Sequence, residues 1–444
     1  MSRAPVRRSR SRRKPLPTSG GVVAARRVLL DNGLVLIARP NRSVRSIALH
    51  LTLRAGAAFD PPGRSGTAHL VARLLDRGAG TLSGRTIAEE FDARGISFQA
   101  RARLDSLDIT LRLLSRHLPF ALDRLALLAS QPTFPDAECT AEQARVTTEI
   151  TERDQDTAAC ADMMLAAALF PSGHPYHAPP AGTRESVAAL TREGLARFHG
   201  MRCVPSGAVL AMAGDFDAAE ALRGAGRVLG SWKTPARPAA APFTEAPAPA
   251  DVQVMVRPIP GKTQADVALG FAPLVDRRGP DFQAALVMNS VLGDFGMGGR
   301  LGEAIRERAG LAYYAHSYLW AGLLRGPLVV RAGVAPQSVS KAVDLMRRTV
   351  ETFRRRGPRP AELQDSRQAL ASAIPRRFET NAGAAALLAD CEFQGLGYDF
   401  PDRVPALIAK VSRDAVLRAA RAYLTVDRCA LMIAGADIDA SSLR

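Results

Sequence analysis

Apolar and polar residues alternate in the segment that follows residue 45. Every second position there is apolar: Ile47, Leu49, Leu51 and Leu53. Such alternation is typical of a β-strand with one buried face. Downstream, the periodicity predicts helices over 66–77, 84–94, 117–130 and 136–165, and strands over 96–103 and 106–114. Only Leu104 and Asp105 join the two strands, which favours an antiparallel hairpin. Because strands group apart from helices, the pattern predicts an α+β fold.

The second part of the chain repeats the pattern of the first. A segment that begins at Thr191 aligns without gaps with one that begins at Ser412, and each has the pattern of an amphipathic helix, a turn and a short apolar strand. The strand at 47–53 also has a counterpart at 267–271. We therefore expect two similar halves, each a mostly antiparallel sheet packed with helices.

Composition divides the chain into four segments. Residues 233–251 contain five prolines, which favours an extended interdomain linker. The expected organisation is a basic arm over 1–20, an N-terminal domain over 21–232, this linker, and a C-terminal domain over 252–444.

The formal net charge is +16, and much of it lies in the arm. Its cations are Arg3, Arg7, Arg8, Arg10, Arg12, Arg13 and Lys14. No acidic or apolar cluster accompanies them, so we expect the arm to be disordered, with a role left open between membrane, acidic peptide and none. Nucleic acid is not favoured, because no basic stripe with aromatics is present. No apolar stretch of an export signal follows, which predicts a cytoplasmic protein.

The remaining composition is that of a folded globular protein of 444 residues. Its five cysteines are scattered without a CxxC pair, which argues against a disulfide framework or a cysteine zinc site. No uninterrupted apolar run is long enough to predict a membrane span.

A helical segment near residue 70 resembles part of a zinc-peptidase motif. It reads Gly66-Thr-Ala-His69-Leu-Val-Ala72-Arg73, and Glu149 lies well downstream with Glu142 two turns earlier. Nearly the whole chain beyond the arm is similar to the M16 family of pitrilysin, insulinase and mitochondrial processing peptidase. Active members carry His-x-x-Glu-His and a later glutamate. The resemblance implies the M16/LuxS-like metallohydrolase fold, with the halves in a clam-like arrangement around a cavity.

This sequence departs from the motif at two positions. Ala72 stands where the family has its general base and cannot accept a proton, and Arg73 stands where it has the second histidine. Two vestigial ligand positions remain, His69 and Glu149, which are too few for a catalytic zinc with its water. We therefore expect no metal in this chain. A structural role for His69, paired with Arg73 or Glu149, is favoured.

The second half keeps another family feature. A glycine-rich loop at 293–299 leads to Arg306 and Tyr313, seven residues apart, in a segment similar to the family signature that ends in Gly-Leu-Ala-Tyr. The resemblance implies that the arginine and tyrosine reach the substrate at the zinc site. Both side chains can donate hydrogen bonds to a carbonyl oxygen that becomes negative in the transition state.

Gln99 and Ala100 match the family strand that pairs with extended substrate, although a strand that merely ends the sheet fits equally well. The resemblance implies a non-catalytic subunit that binds unstructured peptide and supplies Arg306 and Tyr313 to a zinc-bearing M16B sister subunit, as in bacterial and mitochondrial pairs. Two alternatives stay open: a self-sufficient zinc peptidase with atypical ligands, and a non-enzymatic scaffold resembling the core proteins of the bc1 complex.

Overall fold

The computed structural model describes residues 21–233, 251–436, 438 and 443. The predicted arm at 1–20 lies outside these residues. So does the predicted linker at 233–251, apart from its two terminal residues, Lys233 and Asp251.

Two sheets carry the fold. The strands of the first half are β1 Arg26–Leu29, β2 Val35–Pro40, β3 Ser46–Leu53, β4 Gly78–Ala79, β5 Leu82–Ser83, β6 Ser97–Ala102, β7 Leu107–Leu114 and β8 Val209–Gly214. Those of the second half are β9 Gln253–Pro258, β10 Ala265–Val275, β11 Ala312–Leu319, β12 Gly326–Val334 and β13 Cys429–Gly435.

Helices cover the sheets. In the first half they are α1 Thr67–Leu74, α2 Gly84–Asp92, α3 Leu118–Ser130, α4 Asp136–Arg153, α5 Thr157–Leu169, α6 Arg184–Ala188, α7 Arg192–Arg202 and α8 Ala218–Leu229. In the second half they are α9 Phe282–Asn289, α10 Gly299–Leu301, α11 Val339–Arg356, α12 Pro360–Arg377, α13 Asn381–Phe393, α14 Phe400–Ala409 and α15 Arg413–Tyr423. None of the helices within the described ranges is both long enough and apolar enough to cross a bilayer.

The strand orders reveal the repeat. In the described residues the first sheet has the order β1-β2-β8-β3-β7-β6 and the second has β11-β12-β10-β13-β9, so β3 and β10 are equivalent central strands. The pairs β2–β8 and β9–β13 are parallel and the other pairs of these two sheets are antiparallel. The predicted α+β class, mostly antiparallel pairing and repeat are confirmed.

The predicted helix over 136–165 is wrong in one respect, since it is two helices. Helix α4 ends at Arg153, and Asp156 starts α5 by accepting a hydrogen bond from the Ala159 N–H at 2.7 Å. The break redirects the chain, and α5 packs against β10 and β13 of the other half.

The halves exchange one helix each. As α5 covers the second sheet, α13 of the second half packs against β3 and β8 of the first. Polar contacts fix both crossings. Asn381 at the start of α13 donates to the Ser46 carbonyl at 2.9 Å, and Arg331 on β12 donates to Asp162 on α5 at 3.1 Å. The reciprocal packing holds the two sheets in one body and leaves a cavity between them.

Candidate functional site

Helix α1, which carries His69, is fixed at its first turn. Gly66 has a left-handed backbone (φ 93°), and a Cβ there would lie 2.8 Å from the Ala181 carbonyl. The Asp60 carboxylate accepts from the N–H groups of Gly66 and Ala68, both at 2.8 Å, which satisfies free donors of the helix. Burial raises the pKa of Asp60 to about 7, against the lowering effect of these hydrogen bonds.

Arg73, one turn beyond His69, occupies the centre of an ion-pair network. Its Nε donates to Glu142 at 2.8 Å, and its Nη1 lies 3.0 Å from a Glu149 oxygen. Arg77 lies 3.2 Å from Glu142, and Arg145 also pairs with that carboxylate. The Glu142 side chain is fully buried. Arg73 therefore ties α1 to α4 through both glutamates.

The three arginines of this network surround the buried carboxylate of Glu142 and keep it charged. Burial acts to raise the pKa of Glu142, but the hydrogen bond and charge of Arg73, with the charges of Arg77 and Arg145, hold it below its ordinary value. The carboxylate is therefore kept ionised. Burial lowers the pKa of His69, and the charge of Arg73 lowers it further.

The expected pairing of His69 with Arg73 or Glu149 is wrong. Those two residues pair with each other, and His69 Nε2 is buried without a hydrogen-bond partner in the described part of the chain. The Arg73 side chain is long enough for its guanidinium to reach both carboxylates, and the His69 imidazole takes no part in these ion pairs.

The residues present do not fit the catalytic zinc that the motif implies. A zinc site needs three protein ligands and an open position, whereas Glu149 is engaged by a permanent cation. Ala72 is buried at 2% exposure and brings no proton acceptor. Across residues 21–233 and 251–436, no group of three or more His, Cys, Asp or Glu side chains is arranged to hold a metal ion.

Arg306 lies in an unusual stretch of helix. Residues Gly302–Arg308 form a π-helix, which is rare and is frequent at functional sites. The π-helix and the glycine-rich loop approach each other closely here, because a Cβ at Gly302 would lie 2.1 Å from the Met297 carbonyl of that loop. Arg306 Nε donates to the neighbouring Glu307 at 2.8 Å, and the arginine side chain is 23% exposed.

Tyr313 lies at an irregularity in an edge strand. The register of β11 against β12 shifts between Ala312 and Tyr314, so Tyr313 is an extra residue in a β-bulge. It is 89% exposed, whereas Tyr314 turns inward and donates to Asp266. The bulge therefore presents the phenol to solvent. No hydrogen bond or ion pair among the described residues joins Arg306 or Tyr313 to the Arg73 network.

Gln99 and Ala100 lie on β6, which is the edge strand of the first sheet as predicted. The hairpin closes with Arg103 N–H donating to the Ser106 carbonyl at 2.7 Å. In an antiparallel pair, successive residues point their backbone N–H and C=O groups alternately toward and away from the partner strand. The backbone groups of Gln99 therefore point toward β7, and those of Ala100 point outward. An unpaired donor and acceptor are thus available to an added strand.

Sequence reasoning missed the part played by Arg77 and Arg145 in the site. The signal was partly present, since Glu142 and Glu149 are seven residues apart and share a face of α4. Arg145 lies on α4 three residues after Glu142, so the sequence spacing already allowed that pair, whereas Arg77 could be identified only from the packing of α1 on α4.

Two family models match this chain, and together they cover more than half of it. One, described as insulinase (peptidase family M16), matches residues 35–178, and the other, described as peptidase M16 inactive domain, matches residues 189–370. The chain belongs to peptidase family M16.

Relatives of similar length carry contrasting descriptions. An uncharacterized zinc protease of Streptomyces coelicolor is 28% identical over 74% of this chain and 71% of its own. A protein of Helicobacter pylori described as non-peptidase homolog YmxG is 24% identical over 82% of this chain and 83% of its own. The protein is thus an M16 peptidase homologue, in a family whose bacterial members include one described as a non-peptidase.

Solved structures share the fold. A peptidase M16 inactive domain from Pseudomonas fluorescens superposes with a TM-score of 0.85 at 23% identity, and covers 93% of this chain and 98% of its own. A protease from Helicobacter pylori gives 0.84 at 19% identity over 92% and 99%. The expected M16-type two-domain architecture is confirmed, while the predicted domain boundaries stay predictions.

Proposed function

We propose that this chain is the zinc-free subunit of a two-chain M16 peptidase. It binds unstructured peptide and supplies Arg306 and Tyr313 to a zinc-bearing sister subunit, which carries the metal and the general base. This chain itself needs no cofactor, and it acts in the cytoplasm.

The observation that carries this proposal is the Arg73 ion-pair network. Its guanidinium bridges Glu142 and Glu149 at hydrogen-bond distance, so a permanent cation neutralises the carboxylates beside His69. A divalent cation in the same place would meet electrostatic repulsion from Arg73 and would have two ligands at most. Hydrolysis at this centre has neither a metal position nor a base.

The second half supports a role in another subunit's site. Tyr313 is a large aromatic side chain held out at a bulge, and two further exposed apolar residues, Phe295 and Met297, lie on the glycine-rich loop. A large exposed aromatic side chain is well suited to contact a substrate or a partner. A phenol and a guanidinium can both donate to an oxyanion, which gives Tyr313 and Arg306 a direct function at a scissile carbonyl.

Strand β6 supports peptide binding. The outward N–H and C=O of Ala100 can pair with an extended peptide whatever its side chains are. Its neighbour Gln99 is exposed and can contact the added strand. An unstructured substrate fits this mode because it can adopt the extended form.

The two alternatives make different use of the same fold. A self-sufficient peptidase would need Arg73 to leave its two carboxylates so that His69 and Glu149 could take a metal. A scaffold would need the fold and its contacts but neither Arg306 nor Tyr313.

Reconstitution tests the proposal. The candidate sister subunit is the product of a neighbouring gene of similar length with an intact His-x-x-Glu-His. Hydrolysis of a fluorogenic unstructured peptide is then measured with each chain alone and with both chains together. We expect turnover only with both chains. Equal turnover by the sister alone would favour the scaffold, and chelator-sensitive turnover by this chain alone would establish the self-sufficient peptidase.

A further inference from the structure

A cavity of about 560 Å³ lies between the two halves, away from the Arg73 network. His50 and Asp108, on β3 and β7, line it from the first half. Gln394, directly after α13, and Trp320, directly after β11, line it from the second. Its volume is within the range of about 300–1,000 Å³ that is usual for small-molecule sites, which often form at domain interfaces.

The acidic residues of the cavity already have partners. Asp105 accepts from the Tyr176 hydroxyl at 2.6 Å and from the Leu323 N–H at 2.7 Å. Asp108 accepts from Arg103 at 2.8 Å, and both of these aspartates are more than nine-tenths buried. They are therefore engaged parts of the wall and offer little to a cationic ligand.

The third acid is engaged as well. Asp390 pairs with Arg277 at 2.5 Å across the cavity wall. The cavity therefore contains three carboxylates and no vacant set of ligands for a metal ion, in agreement with the absence of a metal-binding group throughout the described residues.

Two polar groups that line the cavity are without partners. Gln394 is 6% exposed, and its Oε1 is buried with no hydrogen-bond partner among the described residues. Arg377, at the end of α12, is exposed and has no ion-pair partner within the described ranges. As the side chain lies, Oε1 has almost no accessible surface, so a ligand N–H can reach it only when the amide rotates about its terminal bond. A buried amide oxygen without a partner costs free energy, which this rotation and a ligand N–H would recover.

We propose that this cavity binds the carboxyl end of a short peptide or an N-acylated amino acid. The ligand carboxylate pairs with Arg377, and an amide N–H of the ligand donates to Gln394 Oε1 after rotation of the side-chain amide. Trp320 and Phe393 supply apolar contact for the side chain or the acyl group.

The two free groups select this class of ligand. A guanidinium presents two parallel N–H donors that match a carboxylate. The acceptor at Gln394 requires a donor on the same ligand, which inorganic anions such as sulfate lack. This site goes beyond the proposed function, since both halves of one chain build it and Arg73, Arg306 and Tyr313 do not line it.

Calorimetric titration of the purified chain with N-acetyl-Ala-Ala tests the proposal, and the same peptide with a C-terminal carboxamide is the chemical control. We expect saturable binding of the acid and about ten- to hundredfold weaker binding of the amide, as for the loss of a charged hydrogen-bond partner. The proposal would be overturned, with no need for a variant protein, if the acid showed no saturable binding or if acid and amide bound equally well.

Variants then assign the residues. Arg377→Gln should weaken acid binding by about tenfold or more, whereas Arg376→Gln, which changes an exposed arginine outside the cavity, should not. Gln394→Leu should also weaken binding while it leaves or raises the melting temperature of the free protein, because an unpartnered buried polar atom is removed. Equal effects of Arg377→Gln and Arg376→Gln, or full affinity in folded Gln394→Leu, would contradict the assignment.

Discussion

The two halves place different chemistry on equivalent elements. Helix α1 follows central strand β3 in the first half, and α9 follows β10 in the second, while the surrounding strands correspond pair by pair. Helix α1 carries His69 and the ion-pairing Arg73, whereas α9 has no histidine or charged residue in Phe282–Asn289. The same arrangement of strands and exchanged helices therefore carries different side chains at equivalent positions of the two halves.

The halves also differ in exposure. In the first half Arg73 pairs with Glu142 and Glu149, and the Glu142 side chain is fully buried. In the second half Tyr313 is 89% exposed and Arg306 pairs only with the adjacent Glu307 in the described residues. The first group of side chains is therefore engaged in ion pairs within the chain, whereas Tyr313 of the second is open to solvent.

The largest expected effect is on turnover. In the reconstituted pair, Arg306→Ala or Tyr313→Phe should lower kcat by about 10²- to 10³-fold, because each removes a donor that acts in the transition state. Zinc content and subunit association should stay unchanged.

Arg308→Ala is the matched control, since Arg308 lies on the same π-helix, is 70% exposed and pairs with Glu303. A rise in KM at constant kcat would assign Arg306 and Tyr313 to ground-state binding. Unchanged kinetics in a well-formed complex would replace the proposal with the scaffold.

The next effect is on the stability of the closed site. Arg73→Met should lower the free energy of unfolding by about 2–3 kcal/mol, because the buried Glu142 loses a charged hydrogen bond but keeps Arg77 and Arg145. Urea denaturation measures it. Arg85→Met is the control, because its pair with Glu89 is exposed and should change stability by less than about 0.5 kcal/mol. Equal losses would mean that the network does not stabilise the helix pair.

A smaller effect is expected in acid. Because the pKa of Glu142 is lower in the folded state than its ordinary value of 4.5, its contribution to stability is present above about pH 4.5 and is lost as the pH falls through the folded-state pKa. Arg73→Met weakens that lowering, so its stability should fall less steeply below about pH 4.5 than that of the unchanged protein. Parallel stability curves for the two proteins would contradict this assignment.

The smallest effect concerns the edge strand. Ala100→Pro removes an outward N–H and should raise KM of the reconstituted pair about fivefold at constant kcat, as for one neutral hydrogen bond. Gln99→Pro is the contrasting variant, since its N–H faces β7 and its loss should lower the melting temperature. If KM is unchanged in folded Ala100→Pro, substrate does not pair at this position.

The sequence predicted those parts of the fold whose signals are local. The two-residue connection at Leu104 and Asp105 predicted the β6–β7 hairpin, and the alternation at 47–53 predicted the central strand. The break between α4 and α5 was missed although residues 151–157 contain no apolar side chain and Asp156 is a typical capping residue. The exchange of α5 and α13 has no local signal, because it depends on packing between residues more than 100 positions apart.

For the candidate site, the sequence allowed us to predict only which residue types stand at the key positions. Ala72 and Arg73 could be identified as departures from the family motif, but the sequence did not show that Arg73 reaches Glu142, 69 positions away, as well as Glu149. The spacing of Arg306 and Tyr313 was visible, whereas the bulge that turns Tyr313 outward depends on the register of β11 with β12. Side-chain partners across elements require the folded chain.

A substitution at position 73 separates the loss of the metal from the loss of the base. Arg73→His removes the competing cation and restores a second imidazole on the His69 face of α1, so it should recover some zinc binding. Hydrolysis should stay near background, because Ala72 still supplies no base. Substantial turnover of a fluorogenic peptide by this single variant would mean that the base lies elsewhere.

Metal analysis of the unchanged chain tests most directly whether the centre around Arg73 binds zinc. The purified protein is equilibrated with zinc, dialysed and analysed for metal, and its hydrolysis of an unstructured peptide is measured with and without a chelator. We expect well below one zinc per chain and no chelator-sensitive hydrolysis, because Arg73 holds the carboxylates that a metal would need. One tightly bound zinc per chain with hydrolysis abolished by the chelator would contradict this expectation.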